Sequence, residues 1–153
     1  MQTPKSIDLT QSDLEKIKEN DDNVVSPTLG YSYQFFSSIK KHVQVTNYTK
    51  HVSLYTPVVE IDVREGNSTC SYSMYLTLTR FAKPPYLRGS FEFVDPMNKF
   101  VCYWRNKDLA IKFAQHLKST LQCFKKSTHR IRVQEYTLDF SFGRAFYLEE
   151  PEQ

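Results

Sequence analysis

The stretch VSLYTPVVEIDVREGNSTCSYSMYLTLTR, residues 52–80, decides the fold. Tyr55, Val59, Ile61 and Val63 alternate with Glu60 and Asp62, the period of two by which a strand sends successive side chains to opposite faces. Gly66-Asn67 supplies a turn. Cys70, Tyr72, Met74, Leu76 and Leu78 then alternate with Ser71, Ser73, Thr77 and Thr79. An apolar face opposite a wet one is the pattern of an antiparallel sheet. Further on, Pro84-Pro85 breaks the chain, Leu87, Phe91 and Phe93 alternate again, and Asp95-Pro96-Met97-Asn98 makes a turn. Phe100, Cys102 and Trp104 complete a fourth strand, so Val52 to Arg105 is expected to form a four-stranded meander.

The period then changes. Asn106 offers a helix N-cap, Asp108 suits the positive helix end, and Leu109, Phe113, Leu117, Leu121 and Phe124 form a stripe flanked by Ala110 and Ala114. A helix over about 106–124 follows, with Lys125 and Lys126 complementing its C-terminal dipole. The stripe needs the sheet's apolar face to cover it, so Trp104, Phe113, Leu117 and Leu76 are expected to be buried together. Beyond the helix, Ile131 and Val133 share one register, whereas Tyr136, Leu138, Phe140 and Phe142 share the other. A β-bulge near Gln134-Glu135 reconciles them. Gly143 permits a bend, and Phe146 to Leu148 add a short last strand.

Upstream, residues 1–11 are polar and unpatterned. Ser12 and Glu15 stand at capping-box spacing, with Leu14 and Ile17 three apart, which predicts a short helix over 12–19. Between Tyr31 and Val43 the pattern favours a helix over 33–42, and residues 43–49 read as a strand. The fold class is therefore α+β: an antiparallel meander or small β-barrel packed by one amphipathic helix in the C-terminal half. A pleckstrin-homology-like barrel and an OB-like barrel both fit this order of elements, as analogies of topology alone.

At 153 residues the chain is long enough for one domain with a real core. Its hydrophobic share of 40% and charged share of 24% exclude wholesale disorder, and 14% aromatic residues favour pleated surfaces. The net charge of +3 is unevenly distributed. Residues 1–25 carry three lysines against six acids, and residues 149–153 add three glutamates, so residues 26–148 carry +9. This divides the chain into an acidic mobile arm (1–25), a basic α+β domain (26–148) and an acidic tail (149–153). No apolar run approaches the ~20 residues of a membrane span, and the N-terminus lacks the apolar stretch of a secretory signal. Cys70, Cys102 and Cys123 have no paired spacing and are expected to be reduced and buried. An intracellular protein follows, in which the Asn47-Tyr48-Thr49 and Asn67-Ser68-Thr69 acceptor triplets go unused.

Catalytic and metal signatures are sparse. His42, His51, His116 and His129 make no close ligand pair with the cysteines, so no metal or small-molecule cofactor is expected, and His116 is read as a solvent-edge residue. Glu60 and Asp62 share a face as acid–base carboxylates would, but strand alternation already explains them. A non-catalytic binding module acting as a subunit of an intracellular multiprotein complex is therefore expected, with other protein subunits as its partners. Leu14 and Ile17 of the arm are the candidate partner-binding residues. The alternative is a single-stranded DNA- or RNA-binding protein. It would use Lys40, Lys41, Lys125, Lys126, Arg130 and Arg132 for phosphates and an aromatic such as Tyr136 for base stacking.

Overall fold

The hairpin of residues 53–80 is the longest feature of the computed structural model, which describes residues 6–26, 31–32, 53–81, 83–84, 87–96, 98–137 and 142–148. The strands are β1 (Ile7–Asp8), β2 (Val24–Ser26), β3 (Tyr31–Ser32), β4 (Ser53–Glu65), β5 (Ser68–Arg80), β6 (Leu87–Glu92), β7 (Tyr103–Trp104), β8 (His129–Thr137) and β9 (Phe142–Tyr147). Two α-helices join them, α1 (Gln11–Glu19) and α2 (Lys107–Thr120). The helix expected over 33–42 and the strand over 43–49 lie outside the described residues.

Every pairing is antiparallel, and the nine strands form one sheet in the order β1-β6-β5-β4-β7-β2-β3, with β8 on the other edge of β4 and β9 outside β8. Among the described residues the sheet is open, which corrects the barrel expectation. The reason lies in the strand that follows the helix. Instead of joining a far edge and closing a cylinder, β8 returns to the central strand and pairs with it from Ser53↔Thr137 to Ile61↔His129. The four-stranded meander expected over 52–105 is corrected as well because, of its strands, β4, β5 and β6 lie side by side in order but the fourth does not follow β6. The segment around Val101–Trp104 instead enters a fork between β4 and β5, bridging Thr77 at Val101 and Tyr55 at Trp104.

Pro57 marks that fork. The Asp62 N–H donates to Thr128 O on the β8 side, so even-numbered β4 residues direct their backbone groups towards β8 and odd-numbered ones towards β5 and β7. The β5 pairing begins at Val58 and β7 takes over at Tyr55, which leaves Pro57, lacking an N–H, at the gap between them. The Thr56 hydroxyl closes the gap by donating to Cys102 O at 2.9 Å. At the far end of the hairpin, Gly66 takes φ +61°, a conformation costly for other residues.

Both faces of the sheet carry core. On one, Val59, Ile61, Met74, Leu76, Leu78, Phe91, Trp104, Ile131 and Val133 meet α2 through Ala110, Phe113, Ala114 and Leu117. Trp104 and Phe113 stack at 5.0 Å, and with Leu76 and Leu117 they belong to one cluster, as the helix stripe demanded. On the opposite face, Val25, Leu54, Val58, Tyr75, Val101, Tyr103 and Tyr136 form a second cluster. The change of apolar register in β8 follows from this arrangement: Ile131 and Val133 face the first core and Tyr136 the second, while the β4–β8 ladder runs unbroken. The irregularity between Gln134 and Tyr136 occurs instead in the pairing with β9.

α2 is capped by Asn106, whose side chain accepts from Leu109 N at 3.1 Å, but it ends at Thr120 because Leu121 is extended. Lys125 and Lys126 therefore do not serve its dipole; they close a separate 3₁₀ turn (Gln122–Lys125), and the basic residue in the last turn of α2 is Lys118. α1 is capped two residues earlier than the sequence suggested, through a reciprocal box between Thr10 and Asp13.

The N-terminal segment is built into the body. Ile7 pairs with Phe91, Leu9 N donates to Gly89 O at 2.9 Å, and Leu14 and Ile17 are buried in the main core. Gly89 makes this approach possible, since a Cβ there would lie 2.8 Å from Leu78 Cδ2 and 2.9 Å from Leu9 Cδ1. Leu117→Ala should cost about 2–5 kcal/mol in urea unfolding, because a fully buried leucine leaves a cavity between helix and sheet. Deleting residues 1–22 should lower the melting temperature sharply; an unchanged value would contradict the packing of α1.

Candidate functional site

The even-numbered side chains of β4 share one sheet face, apolar at the strand's start and ionic further on. Glu60 is buried, and the strand register sets it opposite Arg130 on β8. Arg130 Nη2 donates to Glu60 Oε2 at 2.9 Å, Arg132 Nη1 donates to Glu60 Oε1, and the Tyr147 hydroxyl reaches the same oxygen at 2.9 Å. Asp62 accepts from Arg130 Nη1 at 3.2 Å and from the Ser71 hydroxyl at 2.6 Å. Arg132 Nε donates to Gln134 Oε1, and Gln134 Nε2 donates in turn to Gly143 O at 3.0 Å. One carboxylate thus joins β4, β8 and β9.

Burial alone would raise the Glu60 pKa, but hydrogen bonds from Arg130 and Tyr147 and the charges of both arginines outweigh it and hold the carboxyl below its ordinary range. The same bond to Glu60, followed by burial, raises the Tyr147 phenol, and it also raises Arg130. The two arginines and two carboxylates balance in charge, so the network itself is neutral and the excess of positive charge in residues 26–148 lies in other residues.

A second polar junction links the helices. Asp13, fully buried, accepts from the Thr10 N–H and hydroxyl at 2.9 Å each and from the Thr120 hydroxyl at 3.3 Å. His116 Nε2 lies 2.9 Å from its Oδ1. His116 is therefore a partly buried helix–helix contact, stacked on Phe113, and not a solvent-edge residue.

The residues proposed for nucleic acid that the structure describes sit in different surroundings. Tyr136 is buried beside Tyr103, with ring centroids 5.5 Å apart, so it presents no face to a base. Arg130 and Arg132 are held by carboxylates, Lys125 and Lys126 are exposed on the 3₁₀ turn, and Lys40 and Lys41 lie outside the described residues. The partner-binding residues Leu14 and Ile17, 5% and 0% exposed, are likewise turned into the core, because the α1 stripe covers the sheet and α2. Among the described residues, no group of three or more His, Cys, Asp or Glu is placed to hold a metal, and no helix is long and apolar enough to cross a membrane. Cys102 is buried and Cys70 and Cys123 partly so; burial raises the Cys123 thiol to about 11, far from a reactive thiolate.

The ionic network was missed in the sequence although a signal existed: Glu60 and Asp62 stand two apart on one strand, and Arg130 and Arg132 stand two apart on another. Overlooked too were the large rings left at the surface, Phe81, Phe93, Phe100, Phe142 and Tyr147, each 38–55% exposed. Comparison of this chain with protein-family models, with curated proteins and with solved structures finds no match.

Because the folded-state pKa of Glu60 lies below its ordinary value, its contribution is present above that value and is lost as pH falls through the folded one. Glu60→Gln should flatten the fall of unfolding free energy with acid on the carboxyl side of the titration. Parallel curves for variant and wild type would contradict the network. Arg132→Ala should cost roughly 1.5–3 kcal/mol, the range for a charged hydrogen bond.

Proposed function

We propose that this chain is a non-catalytic binding module that works as a subunit of an intracellular multiprotein complex. The observation carrying the reading is β9, an edge strand of the sheet among the described residues. It exposes Phe142 and Tyr147 at 55% each, along a six-residue sheet edge whose one charged residue is Arg144. An edge of this kind offers backbone groups and rings to another chain, and proteins that remain alone generally blunt such edges with charge. The internal pairing of Glu60, Asp62, Arg130 and Arg132 supports the same reading, since it commits side chains that phosphate binding or acid–base chemistry would otherwise use. Three cysteines free of disulfides suit a reducing compartment.

Tagged full-length chain purified from native cells should co-elute with defined protein partners. Phe142→Glu should remove them while the variant still unfolds in one cooperative transition, shifted at most by the lost edge-on contact of its ring with Tyr136. Elution of the wild type as a lone monomer would overturn the reading. Single-stranded oligonucleotides titrated at low salt discriminate the alternative. Replacing Arg130 and Arg132 with glutamine should leave the salt dependence of any weak binding unaltered; a slope lowered by about two units would restore the nucleic-acid reading.

A further inference from the structure

Away from the ionic network, a groove of about 730 Å³ runs between β1, the start of α1, β6 and the residues Phe81, Lys83 and Pro84 that come after β5. Its apolar lining comes from Leu9, Leu14, Phe81, Pro84 and Leu87, over Gly89. Phe81 is 46% exposed, which leaves a large ring in water at the groove wall. The volume falls in the range of roughly 300–1,000 Å³ typical of ligand sites, but such sites usually enclose most of a small ligand, and this one is open to solvent along one side. An open apolar trough suits a chain laid across it.

The charges around it select the kind of chain. Among the described residues, Lys83 and Arg88 line the groove against one acid, Asp8. We infer that the groove docks a partner-protein segment in which two or three large apolar side chains are flanked by Asp or Glu. The apolar side chains enter beside Leu9, Leu14 and Phe81, and the carboxylates meet Lys83 and Arg88. Rim charges of this sort set specificity and association rate, while the seated apolar anchors supply affinity. This rests on the reading of the chain as a protein-binding module but places the contact on a surface separate from β9.

The test is selection of a random 12-residue peptide library displayed on phage against the immobilised full-length chain. Enriched peptides should combine large apolar residues with Asp or Glu. Synthesised and labelled, they should lose at least tenfold in affinity for Phe81→Ser and for the double variant Lys83→Glu, Arg88→Glu. Both changes fall on exposed side chains, and unchanged melting temperatures would confirm folding. No enrichment, basic enriched peptides, or equal binding to the variants would overturn the proposal. Saturable oleate binding without peptide enrichment would overturn it as well, by making the groove a small-molecule site. Native partners that co-purify equally with wild type and Phe81→Ser would dismiss the groove while leaving the module reading intact.

Discussion

The structure depends on one strand being buried from both sides. β4 pairs with β8 along one edge and with β5 and then β7 along the other, so its backbone has no exposed ladder over most of its length. Its side chains must then satisfy two interiors at once. Val59, Ile61 and Val63 face the helices, while Leu54 and Val58 face the second cluster. Burying an apolar side chain of this size is worth about 1.5–3 kcal/mol, and β4 contributes several to each side. The polar residues on such a strand cannot remain in water either, so Glu60 requires cations from its neighbour.

That requirement leaves the network around Glu60 neutral in itself. Arg130 and Arg132 lie on β8 because they compensate Glu60 and Asp62, and the Tyr147 hydroxyl ties β9 into the same group. Buried ion pairs add little net stability compared with apolar residues of similar shape, but losing one partner is costly. The arrangement therefore fixes the alignment of β4, β8 and β9 more than it strengthens them. Large rings stay exposed at the β9 edge, as Phe142 and Tyr147, and at the groove beside α1, as Phe81.

Local patterns made much of the fold legible. The alternation of residues 53–80 marked the long hairpin, Asn106 and the Phe113–Leu117 stripe marked α2, and the odd–even change in β8 marked a real division of the core. What could not be read depends on separation in sequence. Nothing local shows that Asp13 and His116, 103 residues apart, share a buried contact, or that Trp104 enters a fork opened at Pro57. α1 looked like part of an acidic arm because its exposed face is charged, while Leu14 and Ile17 are too few to announce a buried stripe. The burial of Leu14, Ile17 and Tyr136 and the carboxylate partners of Arg130 and Arg132 were hidden for the same reason: charge and aromaticity were visible, but the groups facing them in the fold were not.

Native-state hydrogen exchange tests most directly whether one cooperative core, hung on β4, includes the N-terminal helix. Amides of Val58–Val63 should fall in the slowest class, opening only with global unfolding, and those of Leu14 and Ile17 should be protected to the same degree as the buried turn of α2. Fast exchange at Leu14 and Ile17 beside a protected β4, or β4 amides no slower than those of β9, would contradict this account.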